Sequence, residues 1–580
     1  MQAIKKLFFF FNSYERKRAY LLLVILFILA ILETIGVASI LPFIAVLSNP
    51  EIVETNTLLD AAYTYLKIFG VTSVQNFTFF LGLIVFILLM TSLTFKLFVS
   101  FFQARFIGML EYNLSKRLVE GYLHQPYSWF LGRHSAEIGK NILSEIHKII
   151  IGGVTTSIDL INRCLVIIFI FFFLIILDTK LAITSLLILG SSYVIISYLT
   201  NSFIKKLGNE NFKSNETRYK IINETFGAIK EIKVRGIEKI FANRYLKPAK
   251  ILIRTQAHLS IVSSLPSFFI QVIAFGGMLL ILIFSMYKDN FEKILPIISV
   301  YAFAGYRLIP ALQSVYNSYT GFIYSAPGIN KIFSEIENFK IINYDKDQNG
   351  LSLNKSIVLK NVFFKYEDAT RPTLKNINLT IPAKSSIGLI GASGIGKTTI
   401  VDIILGLLEP QEGALEVDGR VITNQNVKLW QESIGYVPQH IFLFDDTIAA
   451  NIALGLEKKD INQEAVEKAS KIANLHKFII EELPAQYQTT IGERGVRLSG
   501  GQRQRIGIAR VLYHNPQLVI FDEATSALDN QTEKEIMDAI NNLDKKITII
   551  FIAHRLNTVQ NCDIVYKFEK DQIVSQRALK

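Results

Sequence analysis

The chain has 580 residues, is 50% hydrophobic, carries a formal net charge of +12 and has a mean hydropathy of +0.34. That hydropathy is high for a soluble protein, and the length exceeds one ordinary domain. Two cysteines far apart in the chain, Cys164 and Cys562, exclude a disulfide framework.

Long apolar runs are confined to residues 1–335, whereas 356–580 has the mixed composition of a soluble α/β domain, so a two-domain chain with a linker at 336–355 is expected. Met1–Tyr20 mixes aromatics with Lys5, Lys6 and Arg16–Arg18, suiting a helix in the membrane interface, and it carries no cleavable signal pattern. Runs near 19–46, 76–105, 151–178, 180–205, 258–287 and 293–318 can each span a hydrocarbon core, which takes about 20 helical residues. Several, such as Leu165–Leu177, are apolar on every face, which argues against buried core helices of a soluble protein.

Lys and Arg mark the cytoplasmic side of such helices. Arg16–Arg18 precede the first span, and the connections between spans two and three and between four and five are rich in both residues. The opposite connections are poorer in base, so both termini and the soluble domain are expected in the cytoplasm. This bias accounts for most of the positive charge, and no nucleic-acid partner is expected. In the first external connection, Leu58, Leu59, Ala62, Tyr63, Leu66 and Phe69 recur at helical spacing, predicting a short amphipathic helix over Asn56–Phe69. Lys96, Arg163 and Arg307 fall inside spans and are candidates for lining a polar cavity. Equally, they could snorkel or pair, Arg163 with Asp159 for instance, and Glu33 could be a structural partner for a base.

In the C-terminal domain, Gly391-Ala392-Ser393-Gly394-Ile395-Gly396-Lys397-Thr398-Thr399 follows an apolar strand-like run and opens an apolar helix-like run. That is the context of a phosphate-binding P-loop, in which glycines let backbone N–H groups wrap a phosphate chain at a helix N-terminus. Lys397 would reach the β- and γ-phosphates of ATP, and Thr398 would ligate Mg²⁺. Downstream, the apolar strand Leu518–Phe521 ends in Asp522 and Glu523, suited to binding Mg²⁺ through water and to polarising the attacking water.

Leu498-Ser499-Gly500-Gly501-Gln502 resembles the signature sequence of ABC transporters, and further motifs follow in that family's order. The resemblance implies that Tyr366 stacks on adenine and that Gln439 links Mg²⁺ and water to the membrane domain. It also implies that Asp529 lies in a loop crossing the dimer interface, and that His554 contacts the γ-phosphate. Gly492-Glu493-Arg494-Gly495 resembles the exporter-type loop that touches the partner's intracellular loops. With one ATPase domain and six spans, the chain resembles a half-transporter of the exporter (type IV) class. The implied fold is an all-α membrane domain fused to a cytoplasmic α/β P-loop ATPase. It would work as a homodimer in the cytoplasmic (inner) membrane, with ATP held between the P-loop of one subunit and the signature of the other.

Pro126–Phe130 followed by Ala136–Gly139 resembles the first coupling helix of such exporters, and Asn223–Lys233 the second. Glu33–Phe43 and Tyr306–Pro310 resemble the PglK-type flippases of lipid-linked oligosaccharides, which implies a membrane glycolipid as cargo. The fifth span reads Pro266-Ser267-Phe268-Phe269-Ile270-Gln271, without the basic and acidic residues those flippases carry there. Other readings are a lipid, peptide or multidrug exporter and an ATP-gated channel or regulator. The intact Glu523 argues against the last, which needs no general base.

Overall fold

The computed structural model describes residues 2–68, 71, 73–177, 179–287, 291–339, 351–367, 369–392, 394–492, 495–523, 531, 533, 535, 536, 547–552, 559, 562–569 and 572–578. The chain forms two compact units, one of Met1–Gln125 with Gly132–Lys340, the other of Pro126–Leu131 with Ile341–Lys580. Pro126–Leu131 thus groups with the second unit while both its flanks belong to the first, a division that hydropathy alone does not mark.

The helical unit is built from helices much longer than the apolar runs that announce them. Val74–Leu123 and Glu238–Tyr287 each have 50 residues, and Thr179–Gly227 has 49. At 1.5 Å per residue such a helix is roughly 75 Å long, more than twice the hydrocarbon thickness of about 30 Å. Five helical stretches among the described residues are long and apolar enough to cross a bilayer. A further helix, Phe291–Glu337, covers the sixth predicted run. The first span is interrupted at Ser39, just ahead of Pro42, whose ring removes a backbone donor at the start of the next segment, Ile40–Ser48.

The predicted external helix is present as Thr57–Lys67, with the Asn56 side chain accepting from the N–H groups of Leu58 and Leu59. Its apolar face is occupied by the protein itself: Tyr63 is buried against Val46, Val53, Val71 and Phe77, with Leu59 and Leu66 packed alongside. Leu58 (80% exposed) and Ile68 are left outside, and Phe69 lies outside the described residues.

In the ATPase unit the strands are β1 (Ser356–Phe364), β2 (Leu374–Pro382), β3 (Ser386–Gly391), β4 (Glu412–Val417), β5 (Arg420–Val421), β6 (Ile434–Val437), β7 (Leu518–Asp522), β8 (Thr548–Ile552), β9 (Ile564–Glu569) and β10 (Gln572–Ala578). Among the described residues they form an antiparallel sheet, β2-β1-β4-β5, and a second sheet ordered β10-β9-β3-β8-β7-β6. In the second sheet β9, β3, β8, β7 and β6 run parallel. Its central strands are apolar throughout because both faces are covered, as Val519-Ile520-Phe521 and Ile549-Ile550-Phe551 illustrate. Ligands of such sheets bind beyond the C-terminal strand ends, where β3 and β7 deliver Gly391 and Asp522.

Residues 340–350 of the expected linker at 336–355 lie outside the described residues. The last helix of the first unit runs to Glu337, and by Leu351 the backbone already bonds to Leu429. Asp418, in the β4–β5 turn, accepts from the N–H groups of Asn354, Lys355 and Ser356 and fixes the entry into β1.

Candidate nucleotide site

The P-loop leaves β3 at Gly391 and enters the helix Lys397–Ile404 at Gly396. Gly394 and Gly396 have φ of +78° and +99°, which side chains rarely adopt, and a Cβ on Gly396 would lie 2.8 Å from Leu374 Cδ2. Lys397 is buried, and its Nζ donates to the carbonyls of Gly391 (2.7 Å) and Ala392 (2.9 Å), folding the ammonium over its own loop. Burial pulls the Lys397 ammonium below its ordinary value, opposed by the charges of Glu523 and Asp522.

The two threonines that follow point to different sides. Thr398 is exposed, so its hydroxyl is open to a ligand. Thr399 is buried and shares a 3.0 Å hydrogen bond with the Tyr366 hydroxyl. Tyr366 thus reaches the P-loop helix, its ring edge-on to Phe364. Ser393 lies outside the described residues.

At the end of β7, Glu523 holds φ +50°, a left-handed conformation rare for glutamate, and its N–H donates to Ile552. Such backbone strain of about 1–3 kcal/mol persists where surrounding structure imposes it, commonly at functional positions. Gln439 Nε2 donates to Glu523 Oε2 at 2.7 Å, so the structure brings these two predicted residues together. Asp522 accepts a 3.0 Å bond from the Tyr436 hydroxyl. Burial pushes the Asp522 carboxyl up; the Tyr436 bond and Lys397 draw it down, and Glu523 raises it.

This set fits a magnesium nucleotide. A carboxylate, an exposed hydroxyl and a side-chain amide carbonyl are hard oxygen donors, and Mg²⁺ ordinarily takes one or two protein carboxylates, with phosphates and water completing its shell. Asp522, Thr398 and Gln439 would hold the ion, and its chemistry there is to neutralise phosphate charge.

Two polar neighbours of the site escape motif reading. Tyr436 lies in β6 and reads as ordinary strand patterning. Asp402 interrupts the apolar run Ile400-Val401-Asp402-Ile403-Ile404, the signal that could have found it. Its carboxyl is pushed up to about 6 by burial and then by the charge of Asp522.

The signature opens a helix of its own. Ser499 caps the helix Gly500–Tyr513: its hydroxyl accepts from the Gln502 N–H, and Gln502 Oε1 accepts from the Ser499 N–H at 2.7 Å. Ser499 is exposed, and Gly500 and Gly501 form the first turn, presenting free N–H groups at a helix N-terminus. Asp529, His554, Glu493 and Arg494 lie outside the described residues.

In the helical unit Lys96 Nζ lies 3.4 Å from Glu33 Oε1, so this candidate cavity base is paired, with 39% of its side chain exposed. Asp159 accepts from Gln103 at 2.9 Å. Arg163 is half-buried without an ion pair among the described residues, and the Arg307 side chain lies outside them.

Comparison with known proteins bears on the family. Residues 374–526 match the ABC transporter profile, and residues 19–303 match the ABC transporter transmembrane region. The chain is 45% identical over 218 residues to an ATP-dependent lipid A-core flippase of Saccharophagus degradans, covering 38% of this chain and 36% of that protein. It is 36% identical over 331 residues to heavy metal tolerance factor 1 of Caenorhabditis elegans, covering 56% and 40%. These two matches span well under two thirds of the relatives' length. A longer match, 30% identical over 480 residues, covers 82% of this chain and 81% of the ATP-dependent lipid A-core flippase of Wigglesworthia glossinidia brevipalpis. The fold matches that of a bacterial Atm1-family ABC exporter with ATP bound, with a TM-score of 0.75, 22% identity and coverage of 98% and 96%. A transmembrane region and an ATPase domain in one polypeptide, each matching over its own segment, place the chain in the ABC transporter family.

Proposed function

We propose that the chain is one half of a homodimeric, ATP-driven exporter of the cytoplasmic (inner) membrane, which flips an anionic glycolipid such as a lipid-linked oligosaccharide or polysaccharide precursor. The observation that carries the ATP-driven part is the joined pair of Gln439 and Glu523 beside Lys397 and Asp522. In this reading Lys397 and the loop N–H groups bind the phosphates, Tyr366 turns onto adenine, and Glu523 orients the attacking water and takes its proton. His554 and Asp529 complete the site, Ser393 and Thr399 support the loop, and Ser499, Gly500, Gly501 and Gln502 serve the nucleotide bound by the partner. Lys397→Ala mixed with Ser499→Arg is expected to give ATPase activity above either mutant alone, because one composite site stays whole.

For the cargo, the support is the polar groups within the spans, Arg163 and the Lys96–Glu33 pair, where an unpaired charge costs about 3 kcal/mol or more. Arg307 belongs to the same proposed cavity. Lipid A-core is a second cargo of the same chemistry, favoured by the names of two relatives. In nanodiscs, lipid-linked oligosaccharide or lipid A-core should stimulate ATP hydrolysis, and Arg163→Ala should remove the stimulation while sparing the basal rate. Stimulation by a peptide or a simple phospholipid alone would point to the other exporter classes.

A further inference from the structure

A single buried carboxylate gathers both flanks of the first coupling segment onto the last membrane helix. Glu335, two residues before the end of the helix Phe291–Glu337, has only 3% of its side chain exposed. Its Oε2 accepts from the Tyr122 hydroxyl and from Asn141 Nδ2 (3.2 Å). Its Oε1 accepts from Arg133 Nη1 (2.9 Å) and Lys331 Nζ (3.2 Å). Tyr122 and Asn141 also bond to each other at 3.1 Å, and Lys331 reaches Glu137 at 2.8 Å. Tyr122 precedes the segment Pro126–Leu131, while Arg133, Glu137 and Asn141 follow it. The chain therefore leaves for the ATPase unit and returns from it through two points tied to one side chain. The Tyr122 ring further packs edge-on against Phe339, just beyond the same helix.

The balance of charges explains why the arrangement is specific. Glu335 and Glu137 face Arg133 and Lys331, so removing one buried partner leaves others uncompensated. A carboxylate engaged by four donors from three chain segments has little freedom to re-pair. Directly after Asn141 the helix takes a π turn, Asn141–Glu145, a geometry that proteins keep mostly at functional positions.

We propose that Glu335 is a positioning residue for transport coupling. It locks the entry and exit of the coupling segment to the cytoplasmic end of the last membrane helix, so that nucleotide-driven movement of that segment is passed to this helix. The proposal rests on the reading of the chain as an ATP-driven exporter, and it assigns Glu335 no contact with nucleotide or cargo.

The test is a spin-label distance between His134→Cys and Glu337→Cys, both exposed, with Cys164 and Cys562 replaced by serine. Labelled protomers are diluted into an excess of unlabelled protein, so that only pairs within one chain contribute, and are measured nucleotide-free and after vanadate trapping with ATP. The parent should give one narrow distribution that is the same in both states. Glu335→Ala should broaden it by about twofold or more and make it differ between states. Arg133→Ala with Lys331→Ala, which removes donors from the accessible side without hollowing the core, should do the same. The KM for ATP and basal turnover of all variants should stay within about twofold, because the nucleotide site is untouched. Distributions that remain narrow and state-independent in both variants would overturn the proposal. Absence of ATP hydrolysis in the parent would instead overturn the exporter reading, and the nucleotide-free distances would still judge the lock.

Discussion

If the site takes Mg²⁺ as proposed, removing one hydroxyl should change how tightly it holds the ion. In Tyr436→Phe, Asp522 Oδ2 loses the donor that sits 3.0 Å away. The phenol remains protonated at any physiological pH, since burial, then the Asp522 carboxylate, pushes it well above its ordinary value. In the native protein, therefore, one Asp522 oxygen is held and the other is directed by default. A hydrogen bond to a charged group contributes about 1.5–3 kcal/mol, and water can replace part of it because Asp522 is only half-buried. A net loss of about 1–2 kcal/mol corresponds to about 5- to 30-fold in metal affinity. ATPase activity titrated with Mg²⁺ at fixed ATP should show its midpoint raised by that factor, and Mn²⁺ binding followed by electron paramagnetic resonance with a non-hydrolysable ATP analogue should weaken in parallel. ATP binding without metal should be unchanged. An unaltered metal midpoint with an unaltered Mn²⁺ affinity would refute the role given to Tyr436.

Glu523→Gln should retain nucleotide binding and lose turnover by about 10²-fold or more, the range for a lost general base; equal rates in lipid would remove Glu523 from that role. Gly396→Ala should abolish nucleotide binding in a fluorescent ATP-analogue titration, because the φ of +99° and the Leu374 contact both oppose a side chain. Asp402 supplies a pH test. Its carboxyl is raised from 3.8 to about 6, so the folded protein holds the proton more tightly than the unfolded chain. Stability from this group is present at low pH, falls as pH rises from about 4 to about 6, and stays low above that. Asp402→Asn should therefore raise the thermal midpoint at pH 7.5 by an amount that disappears near pH 4. The shift amounts to about 3 kcal/mol at most and about half that after screening by solvent. A midpoint gain that is independent of pH would contradict the assignment.

Much of the nucleotide site was legible in the sequence because its chemistry is local. Gly394, Gly396 and Lys397 stand together in the chain, and the strand ending in Asp522 and Glu523 carries its own apolar signal. The Ser499–Gln502 capping box likewise announces a helix start within four residues. Tyr436 and Asp402 were not legible as site residues, since their meaning arises only when β6, β7 and the P-loop helix are brought side by side. Hydropathy marked the membrane-crossing halves of the long helices but could not show that Val74–Leu123 continues far beyond the apolar run, because Arg105, Glu111, Lys116, Arg117 and Glu120 break the apolar run while Leu110, Leu114 and Leu118 keep helical spacing. The amphipathic face of Thr57–Lys67 read correctly as apolar, yet periodicity does not say whether a face meets lipid or, as here, Val46 and Phe77. Glu335 gave no signal at all, an isolated acid near a helix end whose partners lie some 200 residues earlier.

The most direct test of the central claim is glycolipid flipping in proteoliposomes, scored by the access of a glycan-modifying enzyme to a lipid-linked oligosaccharide or lipid A-core pool. With ATP and the enzyme both added outside, so that active molecules carry their ATPase domains outward, the account predicts ATP-dependent gain of protection with the wild-type protein and none with Glu523→Gln. Equal protection with and without ATP for both glycolipids, in a preparation that hydrolyses ATP, would contradict it.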